Sequence, residues 1–411
     1  MADTKTTADA ILKDWYWGDK VFPQMITDTP LLSKIKTSKD NIINDVGGRK
    51  VVFPLRTAYG QGMGARAAGD ALPTARNQQF VVTEFQMKKM ISRVEVQGEA
   101  WRSTEGAGKK AFVNLLREAI NDALGAHAKE TNGTMYRDGT GNRGTVTVGS
   151  GVVNPSFSGT FTMDTAIYMF QGMLADAYLA AALITNGGNL QIDTVDRETG
   201  VVGFTNNNAG PVTVAVGNDI YRAGNKDNEC MGLAGIVDDG TLLASLQGIT
   251  VATNPFWSAK LLSNGGVPRV LTLDLMENAY NVSMSQTNES PDCIIMDYVQ
   301  KRKYEQLLVS DKRYTQSRDL PKLDGGYGSL AYNNVPIVFD TDTQAGGMYF
   351  LNTKYLKMFQ QFGYQWTTSP DAKFLWSRVA GYDSYEAVAI YEAEFAALRR
   401  NNQVRLTDLV V

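Results

Sequence analysis

The longest helical periodicity in the chain lies between Lys109 and Thr131. There Phe112, Leu115, Leu116, Ala119, Ile120, Ala123, Leu124 and His127 recur at i, i+3, i+4 spacing. Arg117, Glu118, Asn121 and Asp122 fall off that stripe, so the helix has one apolar face. At 1.5 Å per residue it spans roughly 35 Å, the size of a spine rather than a connector. Gly133 and the run Asp138-Gly-Thr-Gly141 end it. Upstream, two strand-like runs, Arg49–Arg56 and Gln79–Met87, flank the Gly- and Ala-rich stretch Tyr59–Pro73. A lone two-stranded ribbon is marginal in water, so a long hairpin with such a tip predicts support from elsewhere, most naturally a partner subunit. Ahead of it, residues 1–45 form a leading arm. A short helix over Asp9–Trp17 is followed by breaks at Pro23 and Pro30. The arm is too short to bury Trp15, Tyr16, Trp17 and Phe22 by itself, which marks them as contact surface.

Beyond the spine, Ala166–Ile184 reads as a buried amphipathic helix. Gln171, Gly172 and Asp176 near its centre argue against a membrane span. Residues 185–223 then read as β structure. Leu190–Val195 and Val201–Phe204 flank the turn Glu198-Thr-Gly200, and Val212–Val216 follows. From about 270 the pattern mixes helices near Leu273–Ser285 and Tyr298–Val309 with strands at Cys293–Met296, Val335–Phe339 and Met348–Leu351. The alternating strand Tyr385–Tyr391 and a tail over Arg399–Val411 close the chain. No repeat of 20–50 residues signals a solenoid or propeller.

Composition narrows the chemistry. The 411 residues carry 40 Lys+Arg against 43 Asp+Glu, a net charge of −3, so no basic excess drives nucleic-acid or membrane binding. One histidine rules out a His-rich metal site, and any Ser-His-Asp or Cys-His system would need His127. That residue sits on the apolar stripe without a catalytic motif and reads as a core or interface histidine. Cys230 and Cys293 lack C-x-x-C spacing and read as free buried thiols in a reducing compartment. The polar N-terminus has no secretory apolar region. Gly60-Gln-Gly-Met-Gly-Ala65 loosely fits a dinucleotide fingerprint, but no βαβ unit surrounds it, so a loop tip is expected. Asp340-Thr-Asp342 and Asp238-Asp239 could bind a divalent cation but lack a recognised spacing, which favours turn or cap duty. Lys301-Arg302-Lys303 and Arg399-Arg400 read as solvated faces, or as weak contacts to DNA phosphates or a neighbouring subunit. Lys50, Lys88 and Lys89 on the hairpin could pair with carboxylates across an interface. No catalytic, cofactor-binding or metal-binding residue is predicted.

The ordered set of segments resembles the major capsid proteins of tailed double-stranded DNA phages, with the Hong Kong 97-type coat fold. The residues that carry the resemblance are Met231–Gly240, Leu246–Trp257, Pro291–Met296 leading into Tyr304–Leu308, Arg313, Asp324–Gly326, Val335–Asp340, Gly347–Asn352 and Tyr385–Arg400. The resemblance implies an α+β chain divided as follows: N-terminal arm 1–45, E-loop 46–98, P-domain with spine helix 99–184, β insertion 185–225, P-domain strands and connection 226–269, A-domain 270–384, and C-terminal P-domain strand and tail 385–411. It further implies self-assembly into pentamers and hexamers of an icosahedral head around packaged DNA, a virion location and assembly in the host cytoplasm. Scaffolding, portal and decoration proteins are the implied partners, with non-specific DNA contact and no membrane. Expected inter-subunit contacts are Trp15, Trp17, Phe22, Lys50, Arg66, Lys88 and Lys89. The rival readings are an encapsulin-like nanocompartment shell and a cytoplasmic carboxylate-dependent enzyme. The lysine, asparagine and carboxylate of the family's isopeptide crosslink cannot be matched to positions here.

Overall fold

The computed structural model describes residues 29–37, 39–44, 48–60, 62–99, 109–149, 151–153, 159–309, 330–367 and 377–411. Trp15, Trp17, Phe22, the expected helix over Asp9–Trp17, and the side chains of Phe112, Leu115, Leu116 and Ala119 lie outside the described residues. Three apolar cores organise the rest.

The central core lies between the spine helix, Lys109–Thr134, and an antiparallel sheet. That sheet pairs Lys88–Gln97 with the closing strand Ser384–Ala397, and the closing strand with Leu356–Trp366. On the closing strand Ala387, Ala389, Tyr391, Ala393 and Phe395 are buried at period two. This alternation suits a strand with one face on the core, and the small alanines leave room for close packing. His127 packs from the helix onto Tyr364 and Tyr391, with ring centroids 4.5 and 5.2 Å away. The hairpin strands Val51–Ala58 and Gln79–Phe85 pair in register from Val51–Phe85 to Arg56–Phe80. The hairpin is less isolated than its sequence suggests. Phe53 and Phe85 lean on Phe359 of the central sheet at 6.2 and 5.1 Å, and the Glu84 N–H donates to the Gln247 carbonyl at 3.0 Å.

The β insertion is wider than residues 185–225. Strands Asn142–Val148, Gly159–Met163, Leu174–Leu179, Leu190–Val195, Val201–Asn206 and Asn218–Arg222 join in a ring. The pairing of Leu190 with Ala175 closes it into a small antiparallel barrel, a closure that leaves no free edge among these six strands. The segment Ala166–Ile184 is therefore not the helix its apolar content suggested. It forms turns up to Gly172, then the strand Leu174–Leu179 and the short strand Ala182–Leu183. Gly172 at φ 85° and Ala180 at φ 53° break helical geometry on either side of the strand. Between them Met173, Ala175 and Ala177 turn inward, which is a period of two. The Asp176 carboxylate accepts from the Asn189 and Gly224 N–H groups at 3.1 and 3.0 Å and ties the strand into the barrel.

The third core belongs to a six-stranded sheet ordered Lys260–Leu262, Val404–Leu406, Met348–Leu351, Cys293–Met296, Val335–Phe339, Ala331–Tyr332. Every residue of Cys293–Met296 and Met348–Leu351 is buried, as expected of strands covered on both faces. Helix Leu273–Thr287 starts on Thr272, whose hydroxyl accepts from the Leu275 N–H at 3.2 Å, and ends on Asn288 in the left-handed region. Helix Tyr298–Val309 starts on Asp297, which accepts from the Gln300 N–H at 2.7 Å. Leu356–Trp366 belongs to the central sheet, and the tail strand Val404–Leu406 crosses back to fill a gap in the six-stranded sheet. Val404 and Leu406 supply the buried side chains that this position needs.

Candidate functional site

The hairpin has two apolar faces, and only one of them is used within the chain. Alternation sends Phe53, Thr83 and Phe85 towards the body, while Val52, Pro54, Phe80 and Val82 turn outward. Val52, Phe80 and Val82 are each more than half exposed. At the tip Tyr59, Met63 and Leu72 are 76%, 86% and 89% exposed. The region Gly62–Gln78 carries no regular element, consistent with the loop expected in place of a nucleotide cradle. Contiguous exposed apolar side chains on an extended ribbon mark an interaction surface.

Of the basic residues named from the sequence, Lys50 and Arg66 lie on this ribbon, whereas Lys88 and Lys89 begin the central-sheet strand that follows it. Lys50 Nζ pairs with Glu84 Oε1 across the hairpin at 2.8 Å, and Lys89 Nζ lies 3.6 Å from Glu392. Lys88 Nζ donates to the Asp227 carbonyl at 2.7 Å. These three lysines thus have partners in their own chain. Arg66 is exposed on the tip.

Two polar junctions hold the three cores together. In the first, the spine helix meets the six-stranded sheet. Asn132 Nδ2 donates to Asp340 at 3.0 Å and to Asp342 at 2.7 Å, the Tyr136 hydroxyl donates to Asp340 at 2.9 Å, and Lys129 Nζ pairs with Asp342 at 2.7 Å. The Asn132 carbonyl oxygen also accepts from the Leu32 N–H at 3.1 Å, which fastens helix Pro30–Thr37 to the same point. The Asp340–Asp342 pair is thereby occupied by chain donors. Burial raises the Asp340 carboxyl above the ordinary value, against the hydrogen bonds from Asn132, the Asp342 backbone and Tyr136. Asp238 serves a turn, accepting from the N–H groups of Gly240, Leu242 and Leu243.

The second junction, which sequence reading missed, joins the spine helix to the barrel. Arg137 pairs with Glu229 at 2.6 Å and Glu130 at 3.0 Å, while Arg143 pairs with Glu229 at 3.1 Å and also with Glu130. Both arginines and Glu229 are nearly inaccessible to solvent. Burial would raise the Glu130 carboxyl, but Arg143, Arg137 and Arg222 together hold it well below the usual range. Arg400, expected on a solvated basic face, is instead fully buried. Its guanidinium donates to the carbonyls of Ile236 at 2.6 Å and Gly235 at 3.0 Å, which removes it from any DNA-facing surface.

Glu394 is the most perturbed acid with a single strong cause. It lies on the closing strand, 6% exposed, with Oε1 accepting from the Met231 N–H at 2.7 Å. Burial pushes its carboxyl up to about 8, and the Met231 N–H and the Lys88 charge only partly oppose this. A raised carboxyl favours folding fully below the ordinary glutamate value, and this contribution is lost as pH rises towards 8. Glu394→Gln should therefore flatten the decline in stability between pH 5 and 8. It should also exceed the wild type at pH 9 by on the order of a few kcal/mol. Urea unfolding at pH 5, 7 and 9 reads this directly, and parallel pH profiles for the two proteins would contradict it.

Conventional chemistry finds little foothold. Both cysteines are free and buried, and burial raises their thiols, Cys293 to about 12. Among the described residues no group of three or more His, Cys, Asp or Glu could hold a metal ion. None of the described helices is long and apolar enough to cross a membrane.

No family model and no curated protein matches the sequence. Solved structures do match over essentially the full length. The cyanophage A-1(L) capsid subunit shares 14% identity at a TM-score of 0.60, covering 99% of each chain. The capsid protein of a native GTA particle shares 8% identity at a TM-score of 0.51, covering 99% of this chain and 98% of its own. Its counterpart in the empty GTA particle covers 100% of both chains at a TM-score of 0.50. The chain therefore has the α+β coat fold of phage capsids, of the Hong Kong 97 type, elaborated here by a closed β barrel.

Proposed function

We propose that this chain is a major capsid protein of a tailed phage, a structural rather than catalytic subunit that self-assembles into the head shell around double-stranded DNA. The observation that carries this reading is the hairpin's uncovered outer face, on a chain whose whole length follows a capsid fold. A monomer has no use for Val52, Phe80, Val82, Met63 and Leu72 in water, whereas a neighbouring copy covers them. The arm residues Trp15, Trp17 and Phe22 and the tip residue Arg66 are assigned to the same contacts, with Lys50, Lys88 and Lys89 at their margin. Pentamers and hexamers would build the shell in the host cytoplasm, with scaffolding, portal and decoration proteins as its further partners. A net charge of −3 suits a wall that encloses DNA through weak, non-specific contact. The full-length matches to phage and GTA capsids favour this reading over a nanocompartment shell. Sedimentation velocity tests it: the purified chain should form capsomer- and shell-sized species, and a lone monomer boundary at every concentration and salt would overturn the proposal.

A further inference from the structure

A second uncovered apolar surface lies on the barrel. Where the strand Leu174–Leu179 turns into the short strand Ala182–Leu183, the run Leu179-Ala-Ala-Ala-Leu183 is exposed throughout. Leu179, Ala182, Leu183 and Ile184 line a groove of about 510 Å³ together with Pro211 and Thr213. The Asn186 side-chain amide donates to the Pro211 carbonyl at 2.9 Å and ties these two segments together. None of the lining residues is charged, the composition that marks the centre of a protein interface. Residues 144–163, 177–192 and 199–218 of the barrel contain no Lys, Arg, Asp or Glu, although 20% of the chain is charged. Both strands at the groove keep an open edge. Among the described residues Ala182–Leu183 pairs only with Tyr178–Leu179, and Val212–Val214 only with Gly151–Val153. Such edges take up an extended segment readily.

The hairpin tip has the matching properties. Tyr59, Met63 and Leu72 are exposed in the same chain that leaves the groove open, so tip and groove do not meet within one copy. Residues 62–78 carry no strand or helix, which suits them to an open strand edge. Charge agrees with this pairing. Residues 49–85 carry five basic and two acidic side chains, a net +3, whereas the barrel segment 142–225 carries three basic and six acidic, a net −3. Two barrels brought together would repel, while hairpin and barrel attract. We propose that the barrel groove receives the hairpin tip of a neighbouring copy, with Met63 and Leu72 packed against Leu179 and Leu183. The inference rests on the shell reading above and names the surface that covers the tip. Each copy then offers one tip and one groove, a heterologous contact of the kind that builds rings.

The test mixes full chains carrying Met63→Cys with full chains carrying Leu183→Cys, under assembly conditions, and adds a flexible bismaleimide. Cys230 and Cys293 are buried with raised thiols and stay unreactive. The mixture should give covalent dimers at least tenfold above either variant alone. Equal yield from Leu183→Cys alone would assign the groove to a barrel–barrel contact and overturn the proposal. In a second arm, Leu183→Asp should abolish shell-sized species in sedimentation velocity and keep the wild-type melting temperature. Undiminished assembly of that variant would also overturn the proposal. A wild type that assembles without dimers in the cysteine mixture defeats this inference alone, whereas a wild type that stays monomeric defeats the shell reading with it.

Discussion

Replacing Arg143 by methionine should lower the unfolding free energy by about 3–5 kcal/mol, the usual cost of breaking a buried ion network from one side. Arg143 is 1% exposed, and its guanidinium serves Glu130, Glu229 and the Tyr168 carbonyl at once. Without it, two buried carboxylates depend on Arg137, with Arg222 at 3.5 Å from Glu130. The loss should carry a pH signature. Glu130 is held below its ordinary value, so its contribution is present above that value and lost progressively as pH falls from there towards the depressed one. In the variant this acid-side loss should shrink. Denaturant unfolding from pH 3 to 7 reads both effects. A change under 1 kcal/mol at neutral pH would mean that the network is solvated and does not join spine to barrel.

Deleting residues 60–72 and closing the hairpin with a short Gly-Ser turn should abolish assembly while leaving subunit unfolding nearly unchanged. The described tip side chains bury almost nothing in their own chain, with Met63 86% and Leu72 89% exposed, so removing them forfeits little intrachain burial. Shortening a loop also alters closure entropy only slowly. Phe80→Asp tests the same surface without a deletion. An exposed substitution of this kind normally moves stability by no more than about 0.5 kcal/mol, yet it would set a charge in the covered face between copies. Light scattering for assembly and thermal unfolding for the subunit separate the two quantities. Equal loss of both would show that the hairpin's outer face serves its own chain.

Much of this architecture is legible in the residues, for physical reasons that also explain the failures. The spine helix and the hairpin strands carry strong local periods, and each forms close to its expected position. The stretch Ala166–Ile184 misled because its apolar residues are dense enough to suit either period. Barrel closure, a long-range event pairing Leu190 with Ala175, decides for strand. Glu394 shows a related limit. It sits out of phase with the buried alternation Tyr391, Ala393, Phe395, which points it to solvent, but the Met231 backbone covers that face as well. In the Glu130–Arg137–Arg143–Glu229 cluster Arg137 and Glu229 lie 92 residues apart, and no spacing announces it. A pocket beside it was hidden for the same reason, since Arg143 and Arg405 come to line it together only once the tail strand has crossed back. The hairpin's outer face, by contrast, could be anticipated from too many apolar residues on a ribbon too thin to bury them.

The central claim is that copies of this chain complete one another into a closed shell. Electron microscopy of the purified, overexpressed protein tests it most directly. Closed shells, or tubes and capsomers built from the same subunit, are the predicted result. A field of stable monomers under every assembly condition would contradict it.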